Sequence, residues 1–274
     1  GKCFWLRVYE IPEGGKTAKG RAIQNLINIE QDDKVKAFIC TQDLKDEDYI
    51  NSMFVVMATK KGQVKKTSLE QYSRPRTNGI NAITVREGDE LLEAKLTTGI
   101  SQVVLAVKSG KAIRFEESKT RPMGRNASGV RGISLKDADD EVIGMVTVND
   151  LDSDILVVSE HGYGKRSNLD DYRITNRGGK GVKTLSLTEK TGSLVAIKNV
   201  TEEDDLMIIN RSGIAIRLGV DTLRVMGRAT QGVRLINIKD DDSIAAVAKV
   251  MNDEDEIQDV DDIDVTIEDN NDNS

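Results

Sequence analysis

The sequence predicts an all-β protein built as a propeller-type array of about five units, each of about four strands. Three observations carry that prediction. An apolar run, a polar pair, a glycine and a second strand-like run recur as "MFVVMATKKGQVKKT", "QVVLAVKSGKAIRF", "DILVVSEHGYGKRS" and "DLMIINRSGIAIRL". Each reads as a β-hairpin whose glycine supplies a turn conformation that costs other residues more. The turn glycines Gly62, Gly110, Gly162 and Gly213, with Gly1 in the same slot, are spaced by 61, 48, 52 and 51 residues. A second glycine follows nineteen residues later in four units (Gly20, Gly129, Gly181, Gly232) and seventeen residues later in the second (Gly79).

The elements of a unit follow in a fixed order. After the hairpin and the second glycine comes an alternating strand ("GINAITV", "GVRGISL", "GVKTLSL", "GVRLINI"), then an acidic turn, then a last strand such as "EVIGMVTV" or "SLVAIKNV". Four-stranded units at a period near 50 residues point to a propeller-type array whose core is shared between neighbouring sheets. The first unit is longer because "TQDLKDEDYINS", Thr41 to Ser52, is polar and acidic, which reads as a surface loop insertion.

The repeats occupy residues 1–251, and residues 252–274 form an acidic tail that reads as disordered and solvated. The formal charge of −7 hides a segregation: the tail carries eleven Asp and Glu and no Lys or Arg, leaving the body with 39 basic against 35 acidic residues. A mildly cationic body can meet a polyanion.

The cations repeat with the units. Four residues after the hairpin glycine stand Lys66, Arg114, Arg166 and Arg217, with Trp5 as the exception. Fifteen residues after it stand Lys16, Arg125, Arg177 and Arg228, with Arg76 one place earlier in the shortened unit. Just past the second glycine come Arg21, Arg131, Lys183 and Arg234, and Lys65, Arg74, Arg121, Lys165, Lys180 and Arg224 lie on the same hairpins and loops. In a circular array, equivalent positions share one rim, so the repetition predicts a basic belt. Such a belt suits duplex DNA, whose bending must be repaid by many backbone contacts spread along its path. Ten phosphate contacts would give a log-log salt slope of about −9. Ten aromatic residues, irregularly placed, make no base-stacking platform for single strands. The rival from another class is a propeller-type interaction module that grips an acidic protein.

Other chemistries lack their residues. "EGGKT" has the GKT of a phosphate loop but Glu10 where its first glycine belongs, and "GYGKRS" has Ser167 where a dinucleotide fingerprint needs glycine. His161 is the sole histidine and falls in a hairpin turn, so no catalytic or metal site is expected. Cys3 and Cys40 read as free thiols in the core of a protein from a reducing compartment. No apolar run spans a bilayer and no signal-peptide pattern opens the chain, so cytoplasm is the default. The sequon Asn126-Ala127-Ser128 is moot there.

The repeat, with "MATKKGQVKKT", "RPMGRNASGVRGISL", "HGYGKRSNLDDY" and "VMGRATQGVRLINI", resembles the C-terminal domain of the DNA gyrase A subunit over Gly1 to about Met251. The resemblance implies a six-bladed β-pinwheel, a propeller-like disc that wraps duplex DNA around a basic rim in a positive-crossing geometry. It implies a nucleoid-associated heterotetramer with the gyrase B subunits that introduces negative supercoils with ATP and Mg²⁺, the cleaving tyrosine and the ATPase lying outside this chain. The family's signature box, QRRGGKG, lies in its first blade. Here the box-like stretch is Thr175, Asn176, Arg177, Gly178, Gly179, Lys180 and Gly181, in the fourth unit. Five units against six lead to the expectation that a box-bearing unit precedes Gly1. The tail resembles family tails that compete with DNA for the rim. The corresponding domain of the topoisomerase IV A subunit, with fewer blades and eroded boxes, is the alternative within the same superfamily.

Overall fold

The computed structural model describes residues 1–15, 18–30, 32–239 and 242–251. Lys16 and the tail therefore lie outside the described residues. The first unit contributes β1 (Lys2–Cys3). The second contributes β2 (Phe54–Thr59), β3 (Gln63–Ser68), β4 (Ile80–Asn81) and β5 (Leu91–Thr97). The third contributes β6 (Gln102–Val107), β7 (Lys111–Glu116), β8 (Val130–Arg131) and β9 (Val142–Val148). The fourth contributes β10 (Asp154–Ser159), β11 (Tyr163–Asn168), β12 (Val182–Lys183) and β13 (Leu194–Val200), and the fifth β14 (Asp204–Asn210), β15 (Ala215–Gly219), β16 (Val233–Arg234) and β17 (Ile244–Met251).

Units two to five thus have four strands each, and while the fifth unit's β15-β14-β17 form a three-stranded sheet of their own, no four-stranded sheet is built from one unit alone. The sheets run β5-β2-β3-β8, β9-β6-β7-β12 and β13-β10-β11-β16, each outermost strand donated by the next unit, while β4 crosses to pair with β1. The expectation of self-contained blades is corrected in this respect. Strands β5, β9, β13 and β17 touch one another in that order and line the axis, leaving the donated strands at the perimeter.

The second glycine is what permits the exchange. At Gly129, Gly181 and Gly232 φ is +86°, +69° and +78°, and a Cβ would stand 2.5–2.6 Å from the carbonyl oxygens of Val64, Ala112 and Gly164 in the preceding unit. Only glycine tolerates both the conformation and the approach. The cores lie between sheets: one joins Val56, Ala58 and Val64 of the second unit to Leu105, Ile113 and Phe115 of the third, and another joins Leu156 and Val158 of the fourth to Leu206 and Ile208 of the fifth.

Position four after the hairpin glycine is a second link between units. Lys66, Arg114 and Arg166 are at most 5% exposed, so the expectation that they line an outward belt is corrected. Each reaches the short 3-10 turn of the next unit. Arg114 Nη1 donates to the carbonyls of Leu169 (2.7 Å) and Tyr172 (3.1 Å), and Arg166 Nε donates to that of Leu223 (2.6 Å). Lys66 instead meets buried Glu117 at 2.9 Å and lies 4.2 Å from the centre of the Phe54 ring. Trp5, the apparent exception, makes the equivalent bond, its Nε1 donating to Tyr72 O at 3.1 Å. Arg217 in the fifth unit stays exposed and pairs with Asp205 of its own sheet at 2.5 Å.

Two further expectations change. Within Thr41–Ser52 the chain forms a short helix, α1 (Glu47–Ser52), whose start is capped by the Asp46 carboxylate and whose Ile50 enters the core of the second unit. The segment is an anchored insertion, not a plain loop. The first unit is largely irregular: its strand β1 pairs only with β4, and residues 35–40 have no strand partner among the described residues. An open groove of about 660 Å³ lies there, lined by Trp5, Ile27 and Phe38 against Val55 and Met57.

The buried Lys66–Glu117 pair gives a direct test of the inter-unit link. Lys66→Met or Glu117→Leu alone leaves an uncompensated buried charge and should cost about 3–5 kcal/mol in a urea melt. The double substitution should cost much less than the sum of the two.

Candidate nucleic-acid interface

Between its 3-10 turn and its donated strand, each of units two to five carries a loop at the perimeter, residues 73–79, 120–129, 172–181 and 223–232. The loops are stitched to the preceding unit at repeated points. Met123, Thr175 and Met226 donate their N–H to the carbonyls of Lys66, Arg114 and Arg166 at 2.8, 2.9 and 2.9 Å. Ala127, Gly179 and Thr230 accept from the amides of Thr84, Ser134 and Ser186 in the preceding unit. The loops are therefore held in register with one another, and so are the cations on them.

The sequence-predicted cations divide into three groups. Lys65 and Lys165 are fully buried, which removes them from the belt together with Lys66, Arg114 and Arg166. Lys65 Nζ donates to the carbonyls of Ala82 and Arg125, and Lys165 Nζ to that of Gly227, so each pins the next unit's loop from below. Burial lowers both pKa values to about 8, the nearby guanidinium of Arg125 or Arg228 acting in the same direction, with Asp171 opposing for Lys165.

Arg125, Arg177 and Arg228 form the second group. They are half-buried and turned onto backbone: their Nη1 groups donate to the carbonyls of Asn81 (3.4 Å), Arg131 (3.1 Å) and Lys183 (2.9 Å), each two residues past the preceding unit's second glycine. Arg177 Nε also reaches Lys119 O at 3.0 Å. In the box-like loop, Gly178 N donates to Gly132 O and Gly178 O accepts from the Ser134 hydroxyl, so Thr175–Gly181 is fixed chiefly through backbone. Arg177 thus does not face outward as its spacing suggested, whereas Lys180 does.

Cations that are exposed, with side chains unpaired among the described residues, form the third group. On the loops and donated strands they are Arg74, Arg76, Arg121, Arg131, Lys180, Lys183 and Arg224. Arg21 is also exposed, in the first unit, and Arg234 is exposed but engaged by the Tyr163 hydroxyl and by Asn237. Arg173 belongs here and sequence reasoning missed it; it stands eleven residues after Gly162, as Arg121 and Arg224 do after Gly110 and Gly213. Counting from the hairpin glycine at that offset would have found it.

Other sites are ruled on by geometry. Among the described residues no three His, Cys, Asp or Glu side chains are placed to hold a metal ion, and no helix is long and apolar enough to cross a membrane. His161 sits at its hairpin turn beside Lys190 O. Both cysteines are free: Cys3 is half-buried with its thiol pushed up to about 11 by burial, and Cys40 is exposed rather than in the core.

Sheets that exchange their outermost strands around a common axis, with a registered set of free cations at the perimeter, define a β-pinwheel with a cationic rim. The sequence profile of the family described as "DNA gyrase C-terminal domain, beta-propeller" matches residues 1–42, 54–98, 102–149, 153–201 and 204–251. The chain belongs to that family. It is 45% identical over 258 residues to the DNA gyrase A subunit of Staphylococcus aureus strain MRSA252, covering 93% of this chain, and equally identical over 255 residues to that of strain NCTC 8325. The chain spans 28% of the length of these relatives. Among solved structures it is similar to the C-terminal domain of DNA topoisomerase IV (TM-score 0.80, 24% identity, 89% of this chain and 74% of that one). It is also similar to a DNA gyrase A C-terminal domain (0.77, 23%, 92% and 80%), and both likenesses concern the fold.

The buried lysines set a pH dependence. Their folded pKa of about 8 lies below the ordinary 10.5, so between those values the unfolded chain binds more protons and stability rises with pH. Urea midpoints measured from pH 7 to 10.5 should show the native chain gaining on a Lys65→Met/Lys165→Met variant above pH 8. A constant difference would mean the lysines are not buried as described.

Proposed function

We propose that this chain is a non-catalytic DNA-wrapping domain of a gyrase A subunit, bending duplex DNA along the cationic rim so that the assembled enzyme introduces negative supercoils. The observation that supports it most is the registered rim: Arg121, Arg173 and Arg224 recur at one offset, unpaired, on loops stitched at the same points to the preceding unit. Duplex phosphates arrive periodically along a curved path, and a periodic array of free cations meets them without reading bases. The half-buried arginines hold the loops; the free cations touch phosphate. The 45% identity to gyrase A subunits favours gyrase over topoisomerase IV.

On this reading the partners are duplex DNA, the remainder of the A subunit and the gyrase B subunits in a heterotetramer, in the bacterial cytoplasm at the nucleoid. ATP, Mg²⁺ and the cleaving tyrosine belong to parts of the assembly outside this chain. The box-like loop of the fourth unit is one rim contact among several, supplying Lys180 at its tip and Lys183 just beyond.

Titration with linear duplexes tests the reading. Affinity should grow with length up to about 150 base pairs, the scale on which bending resists. With about eight free rim cations engaged, the log-log salt slope should be about −7. Arg121→Ala/Arg173→Ala/Arg224→Ala should flatten that slope by about 3 and weaken all sequences alike. An affinity that ignores both length and salt would instead indicate a module for acidic proteins.

A further inference from the structure

Each of the four rim loops carries the same two-residue step near its start, an arginine followed by an apolar residue: Arg74-Pro75, Arg121-Pro122, Arg173-Ile174 and Arg224-Val225. All eight residues are exposed, Ile174 by 47% and Val225 by 51%. Single exposed apolar side chains are ordinary on a protein surface, but these four share one structural position, each beside an unpaired arginine. Under the proposed function the arginines have phosphate to meet; their apolar partners do not.

The steps are held at both ends. The residue before each arginine of units three to five, Thr120, Tyr172 or Leu223, is buried. Pro122, Ile174 and Val225 bridge in parallel to Lys66, Arg114 and Arg166 of the preceding unit, and the next residue in each loop donates its N–H to the carbonyl of the same three. The apolar side chains are stiff as well, since proline is a closed ring and Ile and Val branch at Cβ. Contact with a ligand therefore costs them little further ordering.

An apolar side chain has nothing to offer a phosphate, but deoxyribose, which lies between consecutive phosphates of a strand, presents hydrocarbon. Successive Cα atoms are about 3.8 Å apart and successive nucleotides of one strand about 3.4 Å along the axis, so a residue next to a phosphate-bound arginine falls on the adjoining sugar. We propose, resting on the DNA-wrapping function, that Pro75, Pro122, Ile174 and Val225 pack on deoxyribose of the wrapped duplex and thereby select DNA over double-stranded RNA. Phosphates are common to both duplexes and carry no such distinction. A ribose in the same place would bring its 2′-hydroxyl, a donor and an acceptor, under a side chain that gives it no partner, and stripping its water is costly. Deoxyribose brings only carbon-bound hydrogen there.

Duplex DNA and duplex RNA of one sequence and about 150 base pairs test this, the ratio of their affinities being the readout; the stiffness of each duplex enters native and variant titrations alike. The native 274-residue chain should favour DNA by about tenfold or more. Ile174→Ser/Val225→Ser should weaken DNA about tenfold and leave RNA nearly unchanged, removing most of that preference, while the log-log salt slope stays as it was because no cation is lost. Calorimetry should show a less negative heat-capacity change on binding DNA, the mark of apolar surface no longer buried. Ile174→Leu/Val225→Leu, which keeps the hydrocarbon, should retain the preference. Both pairs of substitutions fall on exposed positions, so urea midpoints should stay at the native value. A native chain that binds the two duplexes equally, or a serine variant that keeps the preference or loses both duplexes alike, would overturn the proposal while leaving wrapping intact. A native affinity for DNA that ignores length and salt would instead remove wrapping, and this proposal with it.

Discussion

The structure depends on one requirement: the carbonyls that end each unit's 3-10 turn need N–H donors, and only the preceding unit can supply them. Such groups are unpaired by the turn itself, and buried unpaired carbonyls are expensive. Trp5, Arg114 and Arg166 answer the requirement with bonds to Tyr72, Tyr172 and Leu223. In the remaining link Lys66 meets a carboxylate, because Glu117 stands where Leu69, Leu169 and Val220 stand in the other turns. The indole and the two guanidiniums answer one demand, a donor at a place, while the ammonium answers a buried carboxylate that stands at the same joint. The link fixes the angle between consecutive sheets, and with it the point at which each rim loop leaves the core.

From that follows a division of labour among the cations. Those at position four bind unit to unit; Lys65 and Lys165 hold the next loop by its backbone; Arg125, Arg177 and Arg228 tie the loop to the neighbouring donated strand. Only the remainder point to solvent. Each exposed cation then rests on a scaffold that is already organised, which lowers the ordering cost of any contact it makes. Burying lysines under the loops carries a desolvation cost, visible in their lowered pKa values.

The repeat, the hairpins and the turn glycines were legible in the sequence, because a glycine at positive φ and an alternating apolar run are local signals. The exchange of strands was not: a two-residue ladder such as Val130–Arg131 on Val64–Gln63 carries no local pattern of its own. Its trace was the second glycine, recurring for a reason that lies in the preceding unit, the Val64, Ala112 and Gly164 carbonyls. The cations were legible as a set but not as roles. Arg114 and Arg121 look alike in sequence, and what separates them is that one sits on a strand facing the next unit and the other on a loop at the rim. Trp5, which reads as the exception in the pattern, keeps the bond with a different side chain, while Arg217, which fits the pattern, pairs with Asp205 of its own sheet.

In this array each unit completes the sheet of the one before it. Each rim loop is positioned by its predecessor, so the best-fixed cations are those of units three to five, whose loops receive the full set of stitches. In the first unit, Arg21 lies beyond Gly20 with none of those bonds among the described residues, and its place on any path around the rim is set least by the fold. The loop of unit five is held by Met226 and Thr230 in the same way as those of units three and four. The most firmly held stretch of the rim therefore lies between the loops at Arg121 and Arg224. The free cations of units three to five thus share one frame, each loop set by the unit before it.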